Sequence, residues 1–251
     1  MAQDRDIFDK AGQFNLAECR ILSYRHDNEK LPISIDILGI LVNFEIREDI
    51  LTNNVMGRIV VYDMQDIRTV LPITGLERLS LKFNSPGISG YDYSDVTGVP
   101  LQIYKIDSVQ EDPKQTKAQG YIIYFCSPEM YRNSITKVSK AYAGPVENAI
   151  NDILRNKLKS TKPFFFEPTA TNTKVVIPNL KPYKAITLLA KSAVPSQFPN
   201  NSGYCFYETS KGFYFRSIAS MLAYNSLGAE ITPRWKFASM ISSVTEDRKM
   251  P

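Results

Sequence analysis

Residues 42–63 read VNFEIREDILTNNVMGRIVVYD. Val42, Phe44 and Ile46 alternate with Asn43, Glu45 and Arg47. After a polar turn that holds Asn53 and Asn54, Ile59 and Val61 fall on one face, with Arg58, Val60 and Tyr62 on the other. A period of two puts successive side chains on opposite faces of a strand, so one face can be buried while the other meets water. The stretch predicts two strands and a connection.

The same period extends outward in both directions. Leu31, Ile33, Ile35 and Ile37 alternate with Pro32, Ser34 and Asp36; Leu79, Leu81 and Phe83 alternate with Arg78, Ser80 and Lys82. LQIYKIDSV and YIIYFC add further runs, and Gly75, Pro86-Gly87, Gly90 and Pro113 punctuate them. Short, half-polar strands at close spacing predict an antiparallel sandwich or barrel over residues 18–127. Residues 1–17 are polar and aperiodic and read as an N-terminal arm.

Near Pro128 the pattern changes, and residues 128–251 read as a smaller α+β domain. A helix is expected after Gly144 with Pro145 at its first position, where a missing N–H costs nothing. Val146, Ile150, Ile153, Leu154 and Leu158 share its apolar face. A second helix is expected in KPYKAITLLAKSA, with Tyr183, Ile186, Leu189 (or Leu188) and Ala190 toward the core. Tyr204–Glu208 and Phe213–Ile218 read as strands joined by a turn, and FASMISSV as one more strand. The fold class is mainly β with an α+β second part.

The composition is that of a globular protein, with 43% hydrophobic and 22% charged residues in 251. A net charge of +4 is a weak argument for nucleic acid as the main partner. Cys19, Cys126 and Cys205 are too scattered for a CxxC metal site or a disulfide framework, and read as buried thiols. The acidic start lacks a secretory pattern, and the apolar run ILGILVNF is too short to span a bilayer. These features point to a soluble protein made in the cytoplasm.

A search for reactive constellations yields little. His26 is the single histidine and sits in a polar stretch. No GxSxG, P-loop, GxGxxG or HExxH pattern occurs, so no catalytic, metal or cofactor residue is nominated. The pairs Glu48-Asp49 and Glu111-Asp112 lie beside turns, where solvated acids are common. Arg155, Lys157, Lys159 and Lys162 form a basic stretch that suits a helix C-terminus. Tyr204, Phe206, Tyr207, Phe213 and Tyr214 offer rings for stacking bases, or simply a core-facing hairpin. A strand-rich chain with few reactive groups must pair or cover its sheet edges, which suggests an assembly component.

The order of the motifs carries a resemblance. FEIREDILTNNVMGRIVVYDMQDIRTVLPITGLERLSLKF resembles the tube-like domain of contractile-tail phage baseplate hubs. In that family a strand pair ending near an Asp precedes an irregular segment, and a Gly-x-Glu step opens the next strand; here these are Gly57 to Asp63, then Gly75, Glu77 and Leu79 to Phe83. The later order of SPEMYRNSITKVSKAYAGPVENAINDIL, KVVIPNLKPYKAITLLAKSA and YCFYETSKGFYFRSI is similar to that of T4-type hub proteins. The resemblance covers roughly residues 19 to 245. The family carries a second tube-like barrel, for which this chain has no room after residue 245.

The resemblance implies a structural virion protein and no enzyme. It would be a baseplate hub subunit, assembled in the host cytoplasm, whose ring joins the tail tube to the central spike and lines the DNA channel. It implies a homo-oligomer, with a trimer favoured, and as partners the tail-tube protein, the spike protein, other baseplate proteins and DNA in transit. Asn43, Glu45, Arg47, Arg78 and Lys82, with Glu77, are the expected channel-facing polar set. Tyr204, Phe206, Phe213 and Phe215 are the expected docking residues. Two other readings stand beside it: a single-stranded nucleic-acid-binding β-barrel, and a tail-associated wall-degrading enzyme using Glu208 and Glu111.

Overall fold

The computed structural model of the protein describes residues 14–26, 32–64, 67, 71, 73–85, 88–111, 119–170, 172–200 and 203–223. Eight strands build the first unit: β1 (Asn15–His26), β2 (Pro32–Asp36), β3 (Leu41–Arg47), β4 (Met56–Asp63), β5 (Arg78–Ser85), β6 (Ile88–Tyr93), β7 (Leu101–Glu111) and β8 (Gln119–Cys126). They form one antiparallel sheet in the order β2-β1-β5-β7-β8-β4-β3, with β6 beside β5.

The first and last strands of that order, β2 and β3, are neighbours in the chain. Residues 37–40, including a 3₁₀ turn at Leu38–Ile40, join them. Four residues span at most about 14 Å, so the sheet must curl until its ends approach. Ile37 fastens the junction: its side chain is buried and its N–H donates to the Cys19 carbonyl at 3.0 Å. Inside the curl, Phe44 of β3 meets Phe83 of β5 edge-on with ring centroids 5.1 Å apart, and Phe83 stacks on Tyr91 of β6 at 4.7 Å. Ile21, Ile59, Val61, Leu79, Leu81 and Ile103 fill the rest of this core.

The strand pair of residues 42–63 forms as expected, with one change of phase. Phe44 and Ile46 pack against the core, but Val42 is 65% exposed. An irregularity in the β3–β4 register between Leu41 and Asn43 accounts for it: the extra residue turns Leu41 inward and Val42 outward. The expected arm also ends sooner, because β1 begins at Asn15.

Two residues of the strand-pair motif now have physical roles. Gly57 lies opposite Phe125, and a Cβ there would run into the Glu45 carbonyl and the Phe125 ring. Gly57→Ala should therefore lower stability by about 1–3 kcal/mol through overpacking; an unchanged urea midpoint would contradict that role. Glu77 is fully buried, contrary to its expected place on the polar face. Its Oε2 accepts the N–H groups of Thr74, Gly75 and Leu76 at 2.8, 2.8 and 3.1 Å. Gly75 sits at φ +95°, which disfavours any residue with a Cβ. The Gly-x-Glu step is thus a turn closed on its own carboxylate.

The second unit holds α1 (Pro128–Ile135), β9 (Val138–Pro145), α2 (Val146–Asp152), β10 (Phe164–Phe166), β11 (Asn172–Leu180), α3 (Pro182–Ser192), β12 (Tyr204–Thr209), β13 (Gly212–Ser217) and α4 (Ile218–Ala223). Pro145 ends β9 rather than starting the helix, and α2 continues into a π-helical turn at Ile153–Lys157. β11 pairs with β9, while β10, β13 and β12 form a three-stranded sheet. Val146, Ile150, Ile153, Leu154 and Leu158 are all buried; so are Tyr183, Ile186, Leu189 and Ala190, and Leu188 is not. The apolar interior falls into two clusters, residues 19–125 and residues 138–215. The strand expected at FASMISSV lies outside the described residues.

Candidate assembly surface and the joint between the two cores

The outward face of β3, β4, β7 and β8 carries Glu45 between two arginines. Arg47 Nε donates to Glu45 Oε1 at 2.7 Å and Arg58 Nε to Glu45 Oε2 at 2.9 Å. The Arg47 hydrogen bond, helped by the charges of both guanidinium groups, holds this carboxyl below the usual glutamate range against the opposing effect of desolvation. Beside them, Tyr104 and Tyr124 lie with ring centroids 6.3 Å apart. Tyr104 is the extra residue at an irregularity in the β7–β8 register between Ile103 and Lys105, so that both it and Lys105 face outward, and its ring is 48% exposed. These residues with Met56 and Gly57 enclose a cleft of about 230 Å³. Asn43 is exposed further along β3.

Arg78 and Lys82 lie on the outward face of β5, with three strands, β7, β8 and β4, between it and β3 in the sheet order. The five expected channel residues therefore form two separate patches. On the β1–β5–β6 patch, Arg20 bonds Glu18 at 2.9 Å and Asp95 at 3.2 Å, Lys82 bonds Asp92 at 3.0 Å, and Ser80 donates to Glu18. Three cations, Arg20, Arg78 and Lys82, face three carboxylates.

Burial alone would raise the Asp92 pKa, but hydrogen bonds from Ser94, Thr97 and Lys82 outweigh it and hold the carboxyl well below its ordinary 3.8. A carboxylate with a depressed folded pKa contributes stability that is present above its unfolded pKa and lost as pH falls through the folded one. Unfolding midpoints should thus drop as pH falls below about 4, and Asp92→Asn should flatten that acid limb. Urea titrations at pH 7, 4 and 2.5 check it; parallel curves for the two proteins would reject the role of Asp92.

Where the two cores meet, three charged side chains are buried together. Lys162 Nζ donates to Glu129 Oε2 at 3.0 Å and also to Glu208 Oε1. Lys162 is 8% exposed and the carboxylates almost wholly covered. Ser160 Oγ donates to Glu129 Oε1 at 2.7 Å. Glu208, from β12, then crosses to the barrel and accepts the Val55 N–H at 3.0 Å. A reciprocal contact runs the other way: Glu48, just past β3, accepts the N–H of Ser210 in the β12–β13 turn at 2.6 Å. The backbone adds Ser127 N–H to the Val55 carbonyl at 2.9 Å. Burial pushes Lys162 toward losing its proton, yet the two carboxylates prevail and raise its pKa; burial raises that of Glu208. Nothing in the sequence marks this cluster, since its members stand 33 and 46 positions apart.

The four expected docking residues need correction. Tyr204, Phe206, Phe213 and Phe215 point into the second core, where Tyr204 stacks on Phe215 at 4.2 Å and Phe206 on Phe213 at 5.5 Å. Strand alternation brings the opposite row outward instead: Phe165, Tyr214 and Tyr207 stack at 4.9 and 5.2 Å across β10, β13 and β12. The same burial removes three of the five rings nominated for base stacking.

The basic stretch is taken up locally. Arg155 caps the Ser160 carbonyl at 2.6 Å, and Lys159 takes a left-handed conformation at φ 52° beyond the helical turn. Glu208 serves the buried cluster rather than an open cleft. Glu111 ends β7, and Asp112 lies outside the described residues. His26 ends β1. Cys19 and Cys126 are buried, which pushes each thiol up to about 12. Among the described residues no group of three or more His, Cys, Asp or Glu side chains is placed to hold a metal ion, and no helix is long and apolar enough to cross a membrane.

No protein-family model and no curated protein sequence matches the chain. Solved structures do. The 43 kDa tail protein of prophage MuSo2 from Shewanella oneidensis aligns at TM-score 0.50 and 7% identity, over 79% of this chain and 53% of that one. A tail protein from Neisseria meningitidis MC58 aligns at 0.48 and 10%, over 79% and 49%. The E. coli c3393 protein, a type VI secretion component with structural similarity to the T4 tail proteins gp27 and gp5, aligns at 0.45 and 13%, over 70% and 45%. The chain spans about half the length of each. At such identities the likeness is one of fold, and the first alignment carries it: this chain has the mainly β fold of a phage tail protein.

Proposed function

We propose that the chain is a structural subunit of a contractile-tail baseplate hub, which forms a ring with copies of itself, three being favoured, between the tail tube and the central spike. The observation that carries this reading is that the terminal strands of the large sheet, β2 and β3, each keep one edge without a strand partner. Among the described residues, β2 pairs only with β1 and β3 only with β4. Exposed Ile33, Leu38 and Val42 lie on β2, the junction and β3. Unpaired edges with apolar side chains are templates for another chain, and a closed ring satisfies them without open-ended growth.

The lumen is formed by the outward face of β1, β5 and β6, with Arg78 and Lys82. Its cations are matched by carboxylates, so passing DNA would release few counterions and would not be held. The ring places the second unit toward the spike, with the buried joint fixing its angle to the barrel.

Sedimentation of the purified chain, alone and with its tail-tube and spike proteins, tests this reading. A trimer or a higher closed ring is expected, and Val42→Lys should dissociate it without changing the melting temperature. A monomer under every condition would reject the hub assignment.

A further inference from the structure

The cleft around Glu45 adjoins a second hollow. Met56 and Tyr104 line both; beyond them, Cys126, Met130 and Tyr131 enclose a further 200 Å³ or so of almost purely apolar groove. One surface therefore offers a cationic end and an apolar end.

The cationic end is built for an anion. Both arginines approach Glu45 through Nε alone, so neither spends its Nη groups on the carboxylate. Two guanidinium groups against one carboxylate leave one positive charge. Neighbouring Lys105 adds nothing to it, because Asp107 pairs with it at 2.6 Å. An arginine fork held by its Nε is pre-oriented to take a second carboxylate in bidentate fashion, with little further loss of side-chain freedom. The apolar end is built from methionine and tyrosine, side chains that adapt to an incoming surface and are enriched at the buried centres of interfaces.

We infer that this groove is a docking site for a peptide segment of another protein, one that presents a carboxylate followed by apolar side chains. The charge fits that occupant better than nucleic acid: a single uncompensated cation beside an apolar trough cannot follow a phosphate backbone. The assignment goes beyond the hub reading and holds for an isolated subunit.

The test selects a displayed random heptapeptide library on the full-length chain and measures binding of the enriched peptides to wild type, R47M/R58M and Y104S. Both variants alter exposed side chains, and their melting curves should match wild type. Enriched peptides should carry Asp or Glu beside apolar residues. Losing a charge-assisted hydrogen bond should weaken them by roughly tenfold or more on R47M/R58M. Y104S should weaken them as well, through the apolar end. Sequences without an acidic-apolar pattern, or equal affinity for wild type and R47M/R58M, would overturn the proposal. So would steeply salt-dependent binding of a 20-nucleotide single strand that competes for the same arginines.

Discussion

Lys162→Met should destabilise the protein by about 3–5 kcal/mol at neutral pH, because it strips the counterion from two carboxylates that remain out of water. Glu129 and Glu208 repel each other once Nζ is gone, and neither can turn to solvent from its present burial. Their relief is to bind protons: burial already raises the Glu208 pKa above the ordinary 4.5 with its counterion in place, and the variant should raise it further. A carboxyl with a raised folded pKa contributes stability that is fully present below its unfolded pKa and lost as pH rises through the folded one. The deficit of Lys162→Met should therefore be largest near pH 8 and shrink toward pH 5. Urea melts of both proteins at those two pH values measure it, and a deficit independent of pH would show that the carboxylates are not the cause.

The cluster has a second consequence. Glu208 spends its other oxygen on the Val55 N–H, so an apolar replacement of all three charged residues would leave that donor without a partner. An orphaned buried group costs about 1–3 kcal/mol, which offsets what removal of the charges would recover. Buried polar groups of this kind fix one geometry more than they add stability. Here the geometry is the angle between the barrel and the second unit, held from one side by Glu208 and from the other by Glu48.

Phe215→Ala should cost about 3–5 kcal/mol of stability, and Phe206→Ala a similar amount, from lost burial plus the cavity left in a core that collapses only in part. Phe215 has no exposed surface and contacts Tyr204 face to face. Any assembly defect in these variants should follow the loss of fold, visible as a lowered melting temperature at concentrations where no ring forms. Tyr214→Ser, on the outward row beside Phe165 and Tyr207, should leave the melting temperature nearly unchanged. If Phe215→Ala melts like wild type and only assembly suffers, the inward placement of the hairpin face is wrong.

Much of the fold was legible in one dimension. Period two over residues 42–63 and 78–83 predicts strands because side-chain direction alternates with the pleat, a local property that long-range contacts do not reverse. Helical spacing over residues 146–158 and 182–190 likewise identifies the faces that are buried. The exception, Val42, shows the limit: one irregular residue in the pairing of β3 with β4 inverts the phase, and pairing is decided by the partner strand.

The candidate surfaces were less legible. Arg47 stands out in the sequence pattern, but its companion Arg58 and the two tyrosines come together only when β3, β4, β8 and β7 are laid side by side. The aromatic hairpin is visible in the sequence, yet which of its faces lies inward is not a property of the hairpin. Both faces are aromatic, and the helices packed against one of them make the choice. By itself, then, the sequence determined strand and helix periods, the turn glycines and the scarcity of reactive groups, since all of these act between near neighbours. The strand order that curls the sheet, the Glu129–Lys162–Glu208 joint and the cleft were decided by the tertiary structure alone, because each depends on contacts between residues distant in the chain.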